Sequence, residues 1–402
     1  MTGPTNQRLK YVATINRYSL PEDTDPNREL RYIDISAVAG GSLVSSPQVM
    51  RFGDAPSRAR RLVRPGDTIV STVRTYLRAV WPVNMPTDDL AVSTGFAVIS
   101  PGPKVDPRYL GWLAQSDPFI EDIVARSVGV SYPAINPSDI GNILVAVPPL
   151  TTQSTIAGFL NRETARIDAL IATKRQMIDL LWQRLNTSVE TRLRALSTKH
   201  GAVPLKFLAS EVTVGIVITP SEWYVDRGVP ALRGLNVRLG EVSLDDMIHL
   251  SEEGHRINKK SKLNAGDLVT VRTGQAGTTA IVPQELDGAN CIDLLITRPG
   301  PLIVPEFLEL LLNSDWVTKH IEANSVGAIQ SHFNVGTLKD VPVPRIPVDL
   351  QRTVATSLFE ERQGIRRLAG LLASQMDLLA ENRRALITAA VAGQLEIPGV
   401  AA

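Results

Sequence analysis

The chain has a single cysteine, Cys291. No internal disulfide can form and no cysteine-based zinc site exists, so a reducing, cytoplasmic setting is expected. No run of about 18 apolar residues occurs, which excludes a membrane-spanning helix. The first 30 residues carry Arg8, Lys10, Arg17 and Arg28 and lack the continuous apolar stretch of a signal peptide. Neither charge sign is in excess: 42 basic and 41 acidic residues leave +1, so any claim of nucleic-acid binding must rest on local features. The G-x-x-x-x-G-K-S/T loop of a nucleotide-driven motor is missing, as are H-E-x-x-H and the G-x-S-x-G nucleophile elbow. The five histidines, His200, His249, His255, His320 and His332, are scattered without ligand spacing. Gly274-Gln275-Ala276-Gly277 is too short a glycine loop to indicate a phosphate cradle.

What is present is repetition. The 402 residues, 44% of them apolar, allow two to four domains with real cores at roughly 100–200 residues each. Internal similarity emerges at a period of about 198 residues. Pro101-Gly102-Pro103 returns as Pro299-Gly300-Pro301, Ser116-Asp117 as Ser314-Asp315, and Ser127-Val128-Gly129 as Ser325-Val326-Gly327. Asn136 maps onto Asn334 and Gln153 onto Gln351, and positions 96–153 share 17 of 58 residues with 294–351. Upstream, Pro65-Gly66-Asp67 matches Ala265-Gly266-Asp267, and Val73-Arg74-Thr75 matches Val271-Arg272-Thr273. So long a period indicates a duplicated domain unit, not a solenoid.

Each half opens with about 150 residues of mixed sequence. Short apolar runs at 67–73, 95–99 and 268–271, punctuated by Gly, Pro, Asn and Asp, predict strands and turns. Helical patches are expected at 107–123 and 305–321. Asn136-Pro137-Ser138-Asp139 begins like the Asn-Pro-Pro-aromatic motif of amino-methyltransferases but lacks the second proline and the aromatic, so it reads as a turn and helix start. Proline clusters at 148–149 and 342–347 close the two globular parts. A helix then runs from 151 to about 196, with apolar residues from Ile156 and Leu160 to Leu193 at spacings of three and four, and its copy from 349 to about 395, from Val354 to Ile387. Thr151 or Thr152 and Asp349 are the expected N-caps. A helix of about 45 residues is about 68 Å long, more than a domain of this size buries. Each helix therefore needs a long partner, and the other copy, packed antiparallel as a coiled coil, supplies one.

Local charge points to a ligand. Arg58, Arg60, Arg61 and Arg64 crowd the approach to Gly66, and Arg256, Lys259, Lys260 and Lys262 crowd the approach to Gly266. Arg74 and Arg272 coincide. A basic cluster kept in both halves is a candidate phosphate-contacting edge. The segments that follow diverge: Arg78 stands in one half where Thr273 and Gln275 belong to the other, and Ser131 and Tyr132 correspond to a stretch holding Gln330 and His332. These residue types read base edges, and a shared scaffold with divergent polar loops suits two modules that read different sequences.

The chain resembles the specificity subunit of type I restriction–modification enzymes over nearly its whole length. The resemblance is most specific in Pro148-Pro149-Leu150-Thr151-Thr152-Gln153, in Ile156-Ala157-Gly158-Phe159-Leu160-Asn161-Arg162-Glu163-Thr164-Ala165-Arg166-Ile167-Asp168 and in the terminal Ala385-Leu386-Ile387-Thr388-Ala389-Ala390-Val391-Ala392-Gly393-Gln394-Leu395. The second proline cluster departs from the family wording. The resemblance implies an α+β chain, pseudo-twofold symmetric, with target recognition domains at 1–150 and 198–345 and two spacer helices, at 151–197 and 346–402, forming an antiparallel coiled coil. It implies a non-catalytic reader of a bipartite double-stranded DNA site that docks two methyltransferase subunits and restriction/translocase subunits, with methyl donor, ATP and Mg²⁺ held by those partners and no cofactor or metal in this chain. Two other readings are a self-contained methyltransferase or nuclease and a coiled-coil protein scaffold.

Overall fold

The computed structural model describes residues 5–324 and 333–400. The chain divides into two units, Met1–Arg175 with Ala373–Ala402, and Gln176–Leu372. In the first, one antiparallel sheet has the order Ala13–Ile15, Phe96–Pro101, Thr68–Ser71, Val80–Pro82. The second builds the same sheet from Ala209–Val214, Leu294–Pro299, Leu268–Val271 and Thr279–Ile281. The central strands are apolar on both faces because both faces are covered, and Phe96, Ile99, Leu294 and Ile296 are fully buried.

A second sheet repeats with both edges changed. The first unit orders it Gln48–Arg51, Glu29–Ile33, Leu90–Ser93, Ala59–Leu62, with the middle pair parallel. The second unit orders it Tyr224–Val225, Ile248–Leu250, Val229–Leu232, Asn290–Cys291, with the last pair parallel. Where the first unit has the edge strand Ala59–Leu62, the second has a helix, Glu252–Ile257, and a 3₁₀ turn, Lys259–Ser261. Ser261 Oγ donates to Asn290 Oδ1 and His255 Nδ1 lies 3.1 Å from Asn290 Nδ2, which holds that segment against the strand.

The repeated tripeptides have structural causes. Gly66 and Gly266 take φ of 90° and 87°, a conformation that side chains resist. The following aspartates close the turn: Asp67 accepts from the Arg64 N–H and Asp267 from the Asn264 N–H, each at 2.8 Å. Both are buried, and burial pushes both carboxyls above the usual range. Ser116 and Ser314 donate back to the carbonyls of Leu113 and Leu311, at 2.7 and 2.6 Å. That splits each expected helix in two: Pro107–Leu113 with Asp117–Arg126, and Pro305–Leu312 with Asp315–Asn324. Asn136 precedes the short helix Pro137–Gly141, the helix start read from the sequence.

The long helices run unbroken over Leu150–His200 and Val348–Val391. They begin a residue or more earlier than expected, so Thr151, Thr152 and Asp349 lie inside the first turn instead of capping it. Buried Gln153 and Gln351 secure the entry. Gln153 Oε1 accepts from the Asp106 N–H at 2.8 Å and its Nε2 donates to the carbonyls of Lys104 and Pro148 at 2.9 and 2.7 Å. Gln351 does the same with Val304, Leu302 and Ile346 at 2.8, 2.9 and 3.1 Å. The second helix ends short of Leu395 because Gly393 turns left-handed at φ 69° and the Gln394 N–H returns to the Ala389 carbonyl at 2.9 Å.

Each unit packs its globular part on the start of one long helix and the end of the other. In the first, Ile156, Ala157 and Leu160 share a core with Ile387, Ala390 and Val391. Arg383 pairs with Asp168 at 3.0 Å and Lys174 with Gln375 at 2.6 Å, an antiparallel register. In the second, Leu185, Val189 and Leu193 share a core with Ala355, Leu358 and Ile365. Ser188 donates to Glu361 at 3.0 Å and Arg192 to Ser357 at 2.9 Å, again antiparallel.

Candidate nucleic-acid interface

The four arginines before Gly66 take four different positions. Arg58 pairs with Asp34 at 2.9 Å, and the Tyr32 hydroxyl donates to the same carboxylate at 3.0 Å. Burial alone would raise Asp34, but the Tyr32 hydrogen bond and the Arg58 charge hold it below the usual carboxylate range. Arg60 is structural: it donates to the carbonyls of Pro21 and Ser57 at 3.1 and 3.2 Å and lies 4.5 Å from the Phe52 ring. Arg61 is half-buried, its guanidinium pKa lowered by burial. Arg64 is exposed, its guanidinium 3.8 Å from the Tyr18 ring. Only Arg58 and Arg64 thus present charge outward, Arg58 with a carboxylate beside it.

Arg74 and Tyr132 are brought together where segment 72–78 meets segment 127–135, which also carries Ser131. The Arg74 N–H donates to the Pro133 carbonyl at 2.8 Å, the Ile135 N–H to that of Thr72 at 2.9 Å, and the Thr75 and Ser127 hydroxyls lie 2.9 Å apart. Arg74 and Arg78 both adopt left-handed backbone, at φ 47° and 56°, a strained region that clusters where function requires it. The Arg74 guanidinium lies 4.6 Å from the Tyr132 ring and has no acidic partner among the described residues. Arg78, in contrast, pairs with Asp117. Val130 is wholly exposed, and Tyr76 and Leu77 are more than half exposed. The sequence placed all three in the divergent loops, but they were not among the expected contact residues, which were chosen for polar side chains able to read base edges. Apolar groups at such a tip suit contact with a thymine methyl group.

In the second unit Glu252, Glu253, His255, Arg256, Lys259 and Lys262 line an open hollow. Arg256, Lys259, Lys260 and Lys262 are exposed and, among the described residues, take part in no ion pair. Arg272 is partly buried and pairs with Asp293. Its sequence equivalent, Arg74, lacks that neutralisation because Gly95 stands where the second unit has Asp293. Thr273 and Gln275 are exposed around Gly274, whose φ is 77°. Gln330 and His332 lie outside the described residues.

These features define a duplicated α+β chain in which each unit carries an antiparallel pair of long-helix segments and a cationic, loop-rich edge. No protein-family model matches it. A chain from a solved structure of the type I R-M system, concerned with complex assembly and conformational transition, shares the fold: TM-score 0.67, 24% identity, covering 98% of this chain and 99% of that one. Two curated proteins are similar in sequence. The type I restriction enzyme EcoBI specificity subunit of Escherichia coli is 22% identical over 284 residues, covering 63% of this chain and 57% of the relative. The EcoKI specificity subunit of Escherichia coli (strain K12) is 25% identical over 235 residues, covering 54% and 50%. The chain spans about half the length of the curated relatives it matches. The resemblance to type I specificity subunits read from residues 148–168 and 385–395 is thus met again in curated sequences that carry that name. Among the described residues no helix is long and apolar enough to cross a membrane.

Proposed function

We propose that the chain is the sequence-reading subunit of a cytoplasmic type I restriction–modification complex. On this reading 1–150 and 198–345 each recognise one half of a split double-stranded DNA site, and the helices 151–197 and 346–402 dock two methyltransferase subunits. Restriction/translocase subunits join that assembly. Methyl donor, ATP and Mg²⁺ belong to the partners, and this chain supplies recognition without catalysis. The observation that carries the reading is one scaffold built twice, with matching turns, matching helix entries and one sheet of the same strand order, but differently armed edges and tips. Similarity to two proteins named as type I specificity subunits supports it.

The test is methyl transfer from a labelled donor to duplex DNA. The purified chain alone should incorporate nothing above background, and addition of its methyltransferase partners should give incorporation at a defined sequence. Incorporation by the isolated chain would overturn the reading.

A further inference from the structure

Tyr18 carries two cations on one ring. The Arg64 guanidinium is 3.8 Å from the ring centroid and that of Arg17 is 5.2 Å away. The shared centroid puts the two charges within about 9 Å of each other. Both arginines are exposed, and among the described residues neither forms an ion pair. The buried Asp67 feels the charge of Arg64, but its carboxylate is taken up by the Arg64 N–H. The backbone that carries the ring is held: the Leu62 N–H donates to the Tyr18 carbonyl at 3.1 Å, and Ser19 Oγ donates to the Arg60 carbonyl at 3.1 Å. The edge strand Ala59–Leu62 thereby holds the platform.

Two like charges held beside one aromatic ring, neither in an ion pair among the described residues, repel in the free protein and are stabilised when an anion binds near both. Planar guanidiniums match phosphate oxygens better than ammonium groups do, and stacking on the ring fixes their orientation before the ligand arrives. We propose that Arg17, Tyr18 and Arg64 form a DNA-backbone phosphate clamp, with Tyr18 as the positioning residue. The clamp rests on the reading of the chain as a DNA binder. It replaces the Arg58–Arg61 run as the main phosphate grip of the first unit, since Arg58 is paired with Asp34, Arg60 staples a loop and Arg61 is half-buried. The second unit has no equivalent: Gly215 and Ile216 stand where Arg17 and Tyr18 would fall near the 198-residue offset.

The experiment measures duplex affinity against salt for the complex with its methyltransferase subunits, comparing the wild type with R17A/R64A and R17Q/R64Q. Both variants should fold, because the side chains removed are exposed. The slope of log affinity against log salt should become shallower by about 0.9 for each phosphate no longer neutralised: about one unit if the arginines share a phosphate, about two if each holds its own. Sequence preference should stay as in the wild type. An unchanged slope overturns the clamp, as does altered base preference at constant slope, which would make these residues base readers. Unchanged DNA binding with failed assembly also overturns it and assigns the cations to an acidic protein surface. A wild-type complex that fails to bind duplex DNA would instead remove the DNA-reading function itself.

Discussion

Glu309 and Arg362 meet at 2.8 Å in the interior of the second unit, their side chains only 2% and 6% exposed. Asn313 Nδ2 donates to the same carboxylate at 2.6 Å. At the 198-residue offset the first unit has Gly111 and Thr164. Gly111 packs so closely on Pro82 that an added Cβ would lie 2.7 Å from the proline ring, and the Thr164 hydroxyl turns back to the Leu160 carbonyl at 2.7 Å. One packing position is thus filled by an ion pair in one unit and by shape in the other. Removing one partner of a buried pair strands a charge and costs about 3–5 kcal/mol. E309A and R362A should each destabilise the second unit by that amount in urea unfolding, and the double variant should be destabilised by clearly less than the two single effects combined. Full additivity would mean that the pair is not coupled. Asp67 makes a different prediction. Its folded-state pKa is raised by burial, so its contribution is fully present below the unfolded carboxylate range and is lost as pH rises through the folded value. At neutral pH the ionised carboxylate is therefore a cost. D67N keeps an acceptor for the Arg64 N–H, so urea midpoints should show it more stable than the wild type near about pH 7, with the difference gone by about pH 3.

At the scale of elements, much was legible because the chain says everything twice. The serine breaks and the glutamine entries recur at an offset of 198 residues and the glycine turns at 200, and each recurrence marks a backbone requirement. Both long helices were visible from their stripe and lack of proline, although their first turns were not, since the buried glutamines secure the entry that Thr151, Thr152 and Asp349 were expected to cap. The basic edge was only partly legible. Arg58, Arg61 and Arg64 fall at the 198-residue offset from Arg256, Lys259 and Lys262, yet Arg61 lies on a strand with Arg58 and Arg64 flanking it, whereas Arg256 lies on a helix and Lys259 on a 3₁₀ turn that Lys262 follows. The cause is local: Ser251 caps the helix by accepting from the Gly254 N–H at 3.1 Å, whereas Ala59–Leu62 extends to pair with Leu90–Ser93. Charge recurs while the geometry that presents it does not, and offset alone could not reveal which arginines are tied down. The Tyr18 platform gave no sequence signal, because Arg17 and Arg64 are brought together only by the fold. In the second unit the exposed lysines remain the expected grip. K259A/K262A should flatten the salt dependence of duplex binding by about two units without changing the preferred sequence. A change of preferred sequence at constant slope would make them readers of bases.

At the scale of the whole molecule, the two units share a scaffold and differ where they are exposed. The first carries Arg74 beside Tyr132, with no acidic partner among the described residues, and an exposed apolar tip; the second carries Arg272 neutralised by Asp293, with Thr273 and Gln275 exposed nearby. Each has its own core and its own helix-pair segments. If recognition belongs to the units separately, each should keep its half-site when the other is replaced. The most direct measurement exchanges residues 201–345 for the corresponding domain of a relative with a different target and maps methylated positions in duplex DNA treated with the reconstituted complex. The account predicts that one half-site changes to that of the donor while the other is retained. Alteration of both half-sites, or of neither, would contradict it.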